Sequence, residues 1–194
     1  MTKLLETARA ALLANLALAL LCCGAYPLLV WGAGQALFPR QAQGSLIQGK
    51  DGVWGSSLIA QEFKGAGYFH PRPSAAGNGY DAMNSGGSNL GPMSQKLYDS
   101  VTITAKAYRE ENGLPPEAAV PADAVTCSGS GLDPEITPAN AQIQAPRVAK
   151  ARGMSLEAMQ AKVAAHSKGR ALGFMGEPTV NVVELNADLD GLNP

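Results

Sequence analysis

The chain has 194 residues with 15 basic and 16 acidic side chains, a net charge of -1, so it lacks the basic surplus that holding nucleic-acid phosphates requires. An apolar content of 46% excludes a wholly disordered chain, and three cysteines, two of them adjacent, exclude a disulfide-rich scaffold. Aromatic residues make up only 6% while 22 Gly and 13 Pro are spread along the chain, which predicts a modest core with many turns.

The apolar residues are concentrated at the start. No charged side chain occurs between Arg9 and Arg40, and Ala10 to Val30 holds eight leucines and one strongly polar side chain, Asn15. A helix over residues 9–31 rises roughly 33 Å, against a hydrocarbon core of ~30 Å. Its leucines and Val30 favour insertion by roughly 3–5 kcal/mol before the costs of Asn15 and Pro27. The apolar run exceeds that of a signal peptide, and no small-x-small triplet follows it convincingly as a cleavage site, so the expectation is an uncleaved anchor. At 100° per residue Ala11, Asn15, Ala19, Cys22 and Tyr26 share an arc of roughly 80°, a face of small residues with one amide that suits a neighbouring helix. Pro27 is expected to kink or loosen the helix near its outer end. Lys3, Arg9 and the terminal amine before the span give a slight bias toward a cytoplasmic N-terminus. The division expected is a short cytoplasmic segment 1–8, a transmembrane helix 9–31 and an extracytoplasmic domain 32–194.

In the remainder, Leu46-Ile47 and Val53-Trp54 flank Gly49-Lys50-Asp51-Gly52, a hairpin pattern. Residues 65–94 carry seven glycines, yet Tyr68, Phe69 and Tyr80 sit among them, so we expect an ordered surface loop of the kind that meets partners. Ser94 caps a helix with Leu97, Val101, Ala105 and Tyr108 on one face and Gly113 and Pro115 as stops. Val120 to Cys127 reads as a short strand. Thr137-Pro138 opens a helix that Pro146 is expected to break, with a second piece ending at Gly153. Ser155 opens another through Lys168, with Leu156, Met159 and Val163 inward, and Val180 to Leu185 reads as a strand. The fold class expected is α+β: one N-terminal transmembrane helix and one mixed helix/strand domain.

Catalytic patterns are scarce. Gly-x-Ser-x-Gly and a P-loop are missing, and Cys127 is the only thiol outside the apolar run. The turn Ser128-Gly129-Ser130-Gly131 could offer amides to an anion, which leaves a weak nucleotide-contact reading open beside that of a tight turn. Asp133 and Glu135 read as a capped, solvated turn, and Arg147, Lys150 and Arg152 as a solvated basic face near a helix C-terminus.

Ala25-Tyr26-Pro27-Leu28-Leu29-Val30, Leu37-Phe38-Pro39, GSSLIAQ (55–61), YFHPRPS (68–74), SGGSNLGP (85–92), SGSGLDPEITP (128–138), QAPRVAKARG (144–153) and GEPTVNVVELN (176–186) occur in the order found in the C subunit of the bacterial Kdp potassium-transporting ATPase, and the chain resembles that family over nearly its whole length. Ala60 and Cys127 depart from it slightly, and 114–122 match least. The resemblance implies an accessory subunit of the inner membrane, single-pass, with a cytoplasmic N-terminus and an outer domain. It would hold no catalytic residue or cofactor of its own, while the complex uses ATP and potassium. Its partners would be a channel-like potassium-translocating subunit, a P-type ATP-hydrolysing subunit and a small membrane subunit. The family is described as needed for assembly and activity, and as a catalytic chaperone that raises ATP affinity. Expected partner contacts are Asn15, Tyr26 and Pro27 on the helix, and Tyr68, Arg72, Asn89, Leu90, Asp133 and Arg147 on the domain, with Arg72 foremost. An independent periplasmic enzyme and a purely structural anchor are the competing classes.

Overall fold

A computed structural model describes residues 2–50 and 52–192, and the chain divides into two compact units, Met1–Ser45 and Leu46–Pro194. The first unit is a helical rod: α1 (Thr2–Ala19), a π-helical stretch Leu20–Ala25, and α2 (Tyr26–Leu37), followed by the single turn α3 (Pro39–Ala42). Lys3–Leu37 is long and apolar enough to cross a membrane, and among its described residues none is buried. It outruns the expected end at residue 31 because Gly32 and Gly34 are tolerated in a helix. The first true stop is Phe38 (φ -138°), which Pro39 forces out of the helical region. The π stretch immediately precedes Tyr26-Pro27. The Tyr26 N–H reaches back to the Leu21 carbonyl, five residues away, and Pro27 has no N–H to offer Cys23. Such a turn takes up one extra residue and rotates the remainder of the helix by about 100°, so Tyr26 leaves the arc that Ala11, Asn15 and Ala19 share on a regular helix.

The second unit is α+β. Strands β1 (Leu46–Gly49) and β2 (Gly52–Ser56) form the expected hairpin, with a bulge between Ile47 and Gln48. Asp51 of its turn lies outside the described residues. A second sheet has the order β3 (Glu135–Ile136), β5 (Thr179–Asn181), β4 (Ser167–Lys168), antiparallel throughout. The helices are α4 (Gln95–Glu111), α5 (Pro138–Arg152), α6 (Leu156–Ala165) and α7 (Val182–Leu189). The core joins Phe69 and Ile136 to Ala141, Ala145, Val148 and Ala149 of α5, Met159 and Val163 of α6, and Val180, Val182 and Leu185. A smaller cluster gathers Ile47, Val183 and Ala187 beneath Trp54 and Phe63.

Four local expectations are corrected. Pro146 does not break α5, which runs unbroken from Pro138 to Arg152. Its ring is exposed, the Gln142 carbonyl it leaves without a donor belongs to an exposed residue, and the opposite face is held by the core. Val120 to Cys127 is no strand: Ala122–Ala124 is a 3-10 turn, because Asp123 is drawn in to accept from the Thr137 N–H at 2.7 Å and from Asn140 Nδ2 at 3.1 Å. Val180 to Leu185 is a strand only to Asn181. There the Asn181 side chain caps α7 by accepting from the Glu184 N–H at 3.0 Å, and burial of Val182, Val183 and Leu185 overrides β-branched propensity. Finally, α6 ends at Ala165 because Ser167–Lys168 joins the sheet as β4, and Leu156 is 39% exposed rather than inward.

Candidate functional site

The glycine-rich segment 65–94 is ordered, and its first half is bolted down by side chains far away in sequence. Asn186 of α7, fully buried, takes the Phe69 N–H on Oδ1 at 2.9 Å and gives Nδ2–H to the Phe69 carbonyl at 2.8 Å. Gln144 of α5 repeats the pattern one residue on, accepting from the His70 N–H at 2.7 Å and donating to the His70 carbonyl at 3.0 Å. Two amide side chains thus stand in for a neighbouring strand. With them, Phe69 reaches the core without leaving its backbone unpaired.

The two arginines at the end of α5, Arg147 and Arg152, brace the same stretch and are not part of a solvated face. The Arg147 side chain is only 8% exposed. It donates to the carbonyls of Ala66 at 2.9 Å and Tyr68 at 3.0 Å, to Gln144 Oε1 at 2.9 Å and to Asn112 Oδ1 at 3.0 Å. Arg152 donates to the Gly67 and Leu189 carbonyls and to Asp190, and lies 4.8 Å over the Tyr68 ring. The Tyr68 hydroxyl in turn donates to Asp190 Oδ2 at 3.0 Å. Lys150, in the same helix, stays exposed.

Arg72 forks inward. Its Nε–H donates to the Thr126 carbonyl at 3.3 Å and Nη2 to the Cys127 carbonyl at 3.0 Å, while Nη1 lies 3.5 Å from Asp133 Oδ2. Asp133 also takes the Glu135 N–H at 3.0 Å, the capped turn expected. The Tyr80 hydroxyl donates to the Arg72 carbonyl at 2.9 Å, and burial pushes this phenol up to about 12. The Ser128–Gly131 turn lies against the loop. Ser74 Oγ donates to the Gly131 carbonyl at 2.6 Å, and the Gly86 N–H and Ser85 Oγ–H both reach the Ser130 carbonyl. Gly131 has φ +68°, and a Cβ there would stand 2.5 Å from the Gly86 carbonyl oxygen, so only glycine fits.

Beyond Asp81 the segment opens to solvent. Met83 is 90% exposed and Met93 96%, Asn89 is exposed at φ +51°, and Leu90 is half-buried. The end of α4 is fastened by the Tyr108 hydroxyl donating to Asn140 Oδ1 at 2.7 Å and by Glu111 Oε1, 3.0 Å from His70 Nδ1. The His70 contact holds the Glu111 carboxyl below the usual range. Burial, reinforced by Asp123, drives the Tyr108 phenol well above its own range. Among the described residues no group of His, Cys, Asp and Glu could hold a metal ion, and no fully buried side-chain N or O lacks a hydrogen-bond partner.

The structure therefore brings Tyr68 and Arg147 into one brace and Arg72 and Asp133 into another. It leaves Asn89 and Leu90 on the open half, and places Asn15, Tyr26 and Pro27 on the rod. Gln144 and Asn186, which carry the loop, escaped the sequence reading, since a polar residue on a predicted helix carries no signal that it faces inward.

The KdpC family, described as the K+-transporting ATPase c chain, matches residues 8–191. A potassium-transporting ATPase KdpC subunit of Koribacter versatilis is 54% identical over 87% of this chain and 86% of its own. That of Mycobacterium tuberculosis (strain H37Rv) is 53% identical over 86% and 88%, and that of Rhodospirillum rubrum is 54% identical over 96% of both. With a family match over residues 8–191 and relatives 54% identical across most of both chains, the chain belongs to the KdpC family, the C subunit of the Kdp K+-transporting ATPase.

Proposed function

We propose that this chain is a non-catalytic accessory subunit of a high-affinity, ATP-driven potassium uptake complex, needed for its assembly and activity. One observation carries the reading: a 35-residue helix, apolar enough to cross a membrane and with none of its described residues buried, is joined to a domain whose polar clusters are spent on bracing its own loop. A helix of this composition requires lipid or other helices around it. Asn15 is best satisfied by a helical neighbour, since a lipid-facing amide is costly. The partners proposed are the channel-like potassium-translocating subunit, the P-type ATP-hydrolysing subunit and the small membrane subunit. The chain is placed in the inner membrane with its N-terminus in the cytoplasm and residues 46–194 outside. Asn15, Tyr26 and Pro27 would meet helices. On the domain, Asn89 and Leu90 are the expected contacts with free surface, while Tyr68, Arg72, Asp133 and Arg147 shape the loop behind them.

ATP is cytoplasmic, so in this orientation Ser128–Gly131 does not meet it. A rise in the pump subunit's ATP affinity would then be transmitted through membrane helices, by favouring one conformational state of the pump. The complex, not this chain, would use ATP and potassium.

Affinity purification of the full chain from mild detergent should bring down a large P-type pump and a polytopic channel-like protein, and Asn15→Leu should weaken that recovery. A membrane-impermeant thiol reagent should label a cysteine introduced at exposed Ala82 in intact cells. Recovery of the chain alone, or labelling only after lysis, contradicts the proposal.

A further inference from the structure

The connection between β4 and β5, residues 169–178, plays no part in the braces described above. Its backbone closes on itself: the Ala171 N–H donates to the Met175 carbonyl at 2.9 Å, the Met175 N–H to the Ala171 carbonyl at 2.9 Å, and the Gly173 N–H to the Arg170 carbonyl at 3.0 Å. Leu172, Gly173 and Gly176 have φ of +53°, +83° and +76°. A leucine in this region is strained. Core packing does not explain the strain, because Leu172 is 83% exposed. Beside it Phe174 is 71% exposed and Met175 52%. The cations of the stem are matched within the chain: Arg170 Nη2 lies 2.8 Å from Glu177 Oε2, and Lys168 Nζ 3.6 Å from Glu184 Oε2.

We propose that this finger is an interaction surface whose apolar tip, with Phe174 as anchor, enters an uncharged apolar pocket on another subunit of the complex; the inference rests on the accessory-subunit reading above. Three large apolar side chains on one rigid tip form the type of patch that marks a binding site, and an aromatic side chain is its natural anchor. The closed backbone pairs the N–H groups of Ala171, Gly173, Phe174 and Met175 within the finger, which lowers the cost of taking the tip out of water. Charge decides between a protein pocket and a lipid surface. A lipid-binding loop presents free cations to anionic headgroups, whereas here both stem cations are already paired, so the complementary surface is neutral. The fixed, strained shape also matches a shaped pocket, which a fluid bilayer does not offer.

The test uses the assembled complex. With Phe174 replaced by the photo-crosslinking residue p-benzoylphenylalanine, illumination should join this chain to another subunit. The double variant Leu172→Ser/Phe174→Ser should lower retention of the chain in the complex by about 30-fold, the size of a hot-spot loss. Melting of the isolated full chain should stay unchanged, because both side chains are exposed. Crosslinks to lipid alone, no crosslinks, or wild-type retention of the double variant overturn the inference while leaving the accessory reading intact. A wild-type chain that brings down no other subunit removes both.

Discussion

The two halves of the glycine-rich loop have opposite fates. Residues 67–76 are held by Asn186, Gln144, Arg147 and Arg152, and Phe69 and Ala76 are fully buried. Residues 82–93 are mostly exposed, fastened where Ser85 and Gly86 reach the Ser130 carbonyl, and Met83 and Met93 are almost wholly in solvent. The difference lies in partners supplied from more than a hundred residues away by α7 and from α5. A segment rich in glycine folds where buried amides pair its backbone, and remains available to other proteins where they do not.

The strongest way to break this contrast is at Asn186. Asn186→Leu keeps the branched, four-heavy-atom shape but leaves the N–H and carbonyl of buried Phe69 unpaired, so we expect a loss of about 2–5 kcal/mol, read as a large fall in the melting temperature of the full chain in detergent. A wild-type melting curve would show that the amide clamp is dispensable. Next in size is Gly131→Ala, where the left-handed backbone and the Gly86 carbonyl oxygen 2.5 Å from a new Cβ predict a cost of about 2–3 kcal/mol. Because the turn presses on residues 74–87, proteolysis should nick the loop there sooner.

Acid sharpens the comparison at lower amplitude. The Glu111 carboxyl is held down chiefly by its hydrogen bond with His70, and that of Asp188 chiefly by Lys162 and then His166. A depressed carboxylate stabilises the fold above its unfolded value. That contribution is lost as pH falls through the depressed folded value. Melting temperature should hold from about pH 7 to 5 and decline below about pH 4.5. Glu111→Gln should flatten part of the decline. Since Glu111 is more than a third exposed, its share should stay under about 1 kcal/mol. Smallest of all, Met83→Ser and Met93→Ser in the open half should alter stability by no more than about 0.5 kcal/mol. A large destabilisation from either would erase the distinction between the halves.

Much of the fold was legible because its signals are local. An apolar run without charge announced the rod, Ser155 and Thr137 announced the starts of α6 and α5 through caps that the structure contains, and Tyr68, Phe69 and Tyr80 betrayed an ordered loop. The failures all required tertiary knowledge. Nothing local says that Val182–Leu185 will be buried as a helix capped by Asn181, or that Pro146 lies on the solvent face of α5. For the candidate site, Arg72 and Arg147 stood out as chemistry-bearing residues, but their donors face carbonyls of their own chain. That outcome depends on which backbone happens to lie opposite, and residue type does not encode it.

The most direct measurement is potassium-stimulated ATP hydrolysis by the purified pump and channel-like subunits, with this chain withheld, then restored, and by the chain alone. The account predicts little hydrolysis without it, recovery on its addition, and none from the chain by itself. Hydrolysis by the isolated chain, or undiminished activity in its absence, would contradict an accessory, non-catalytic role.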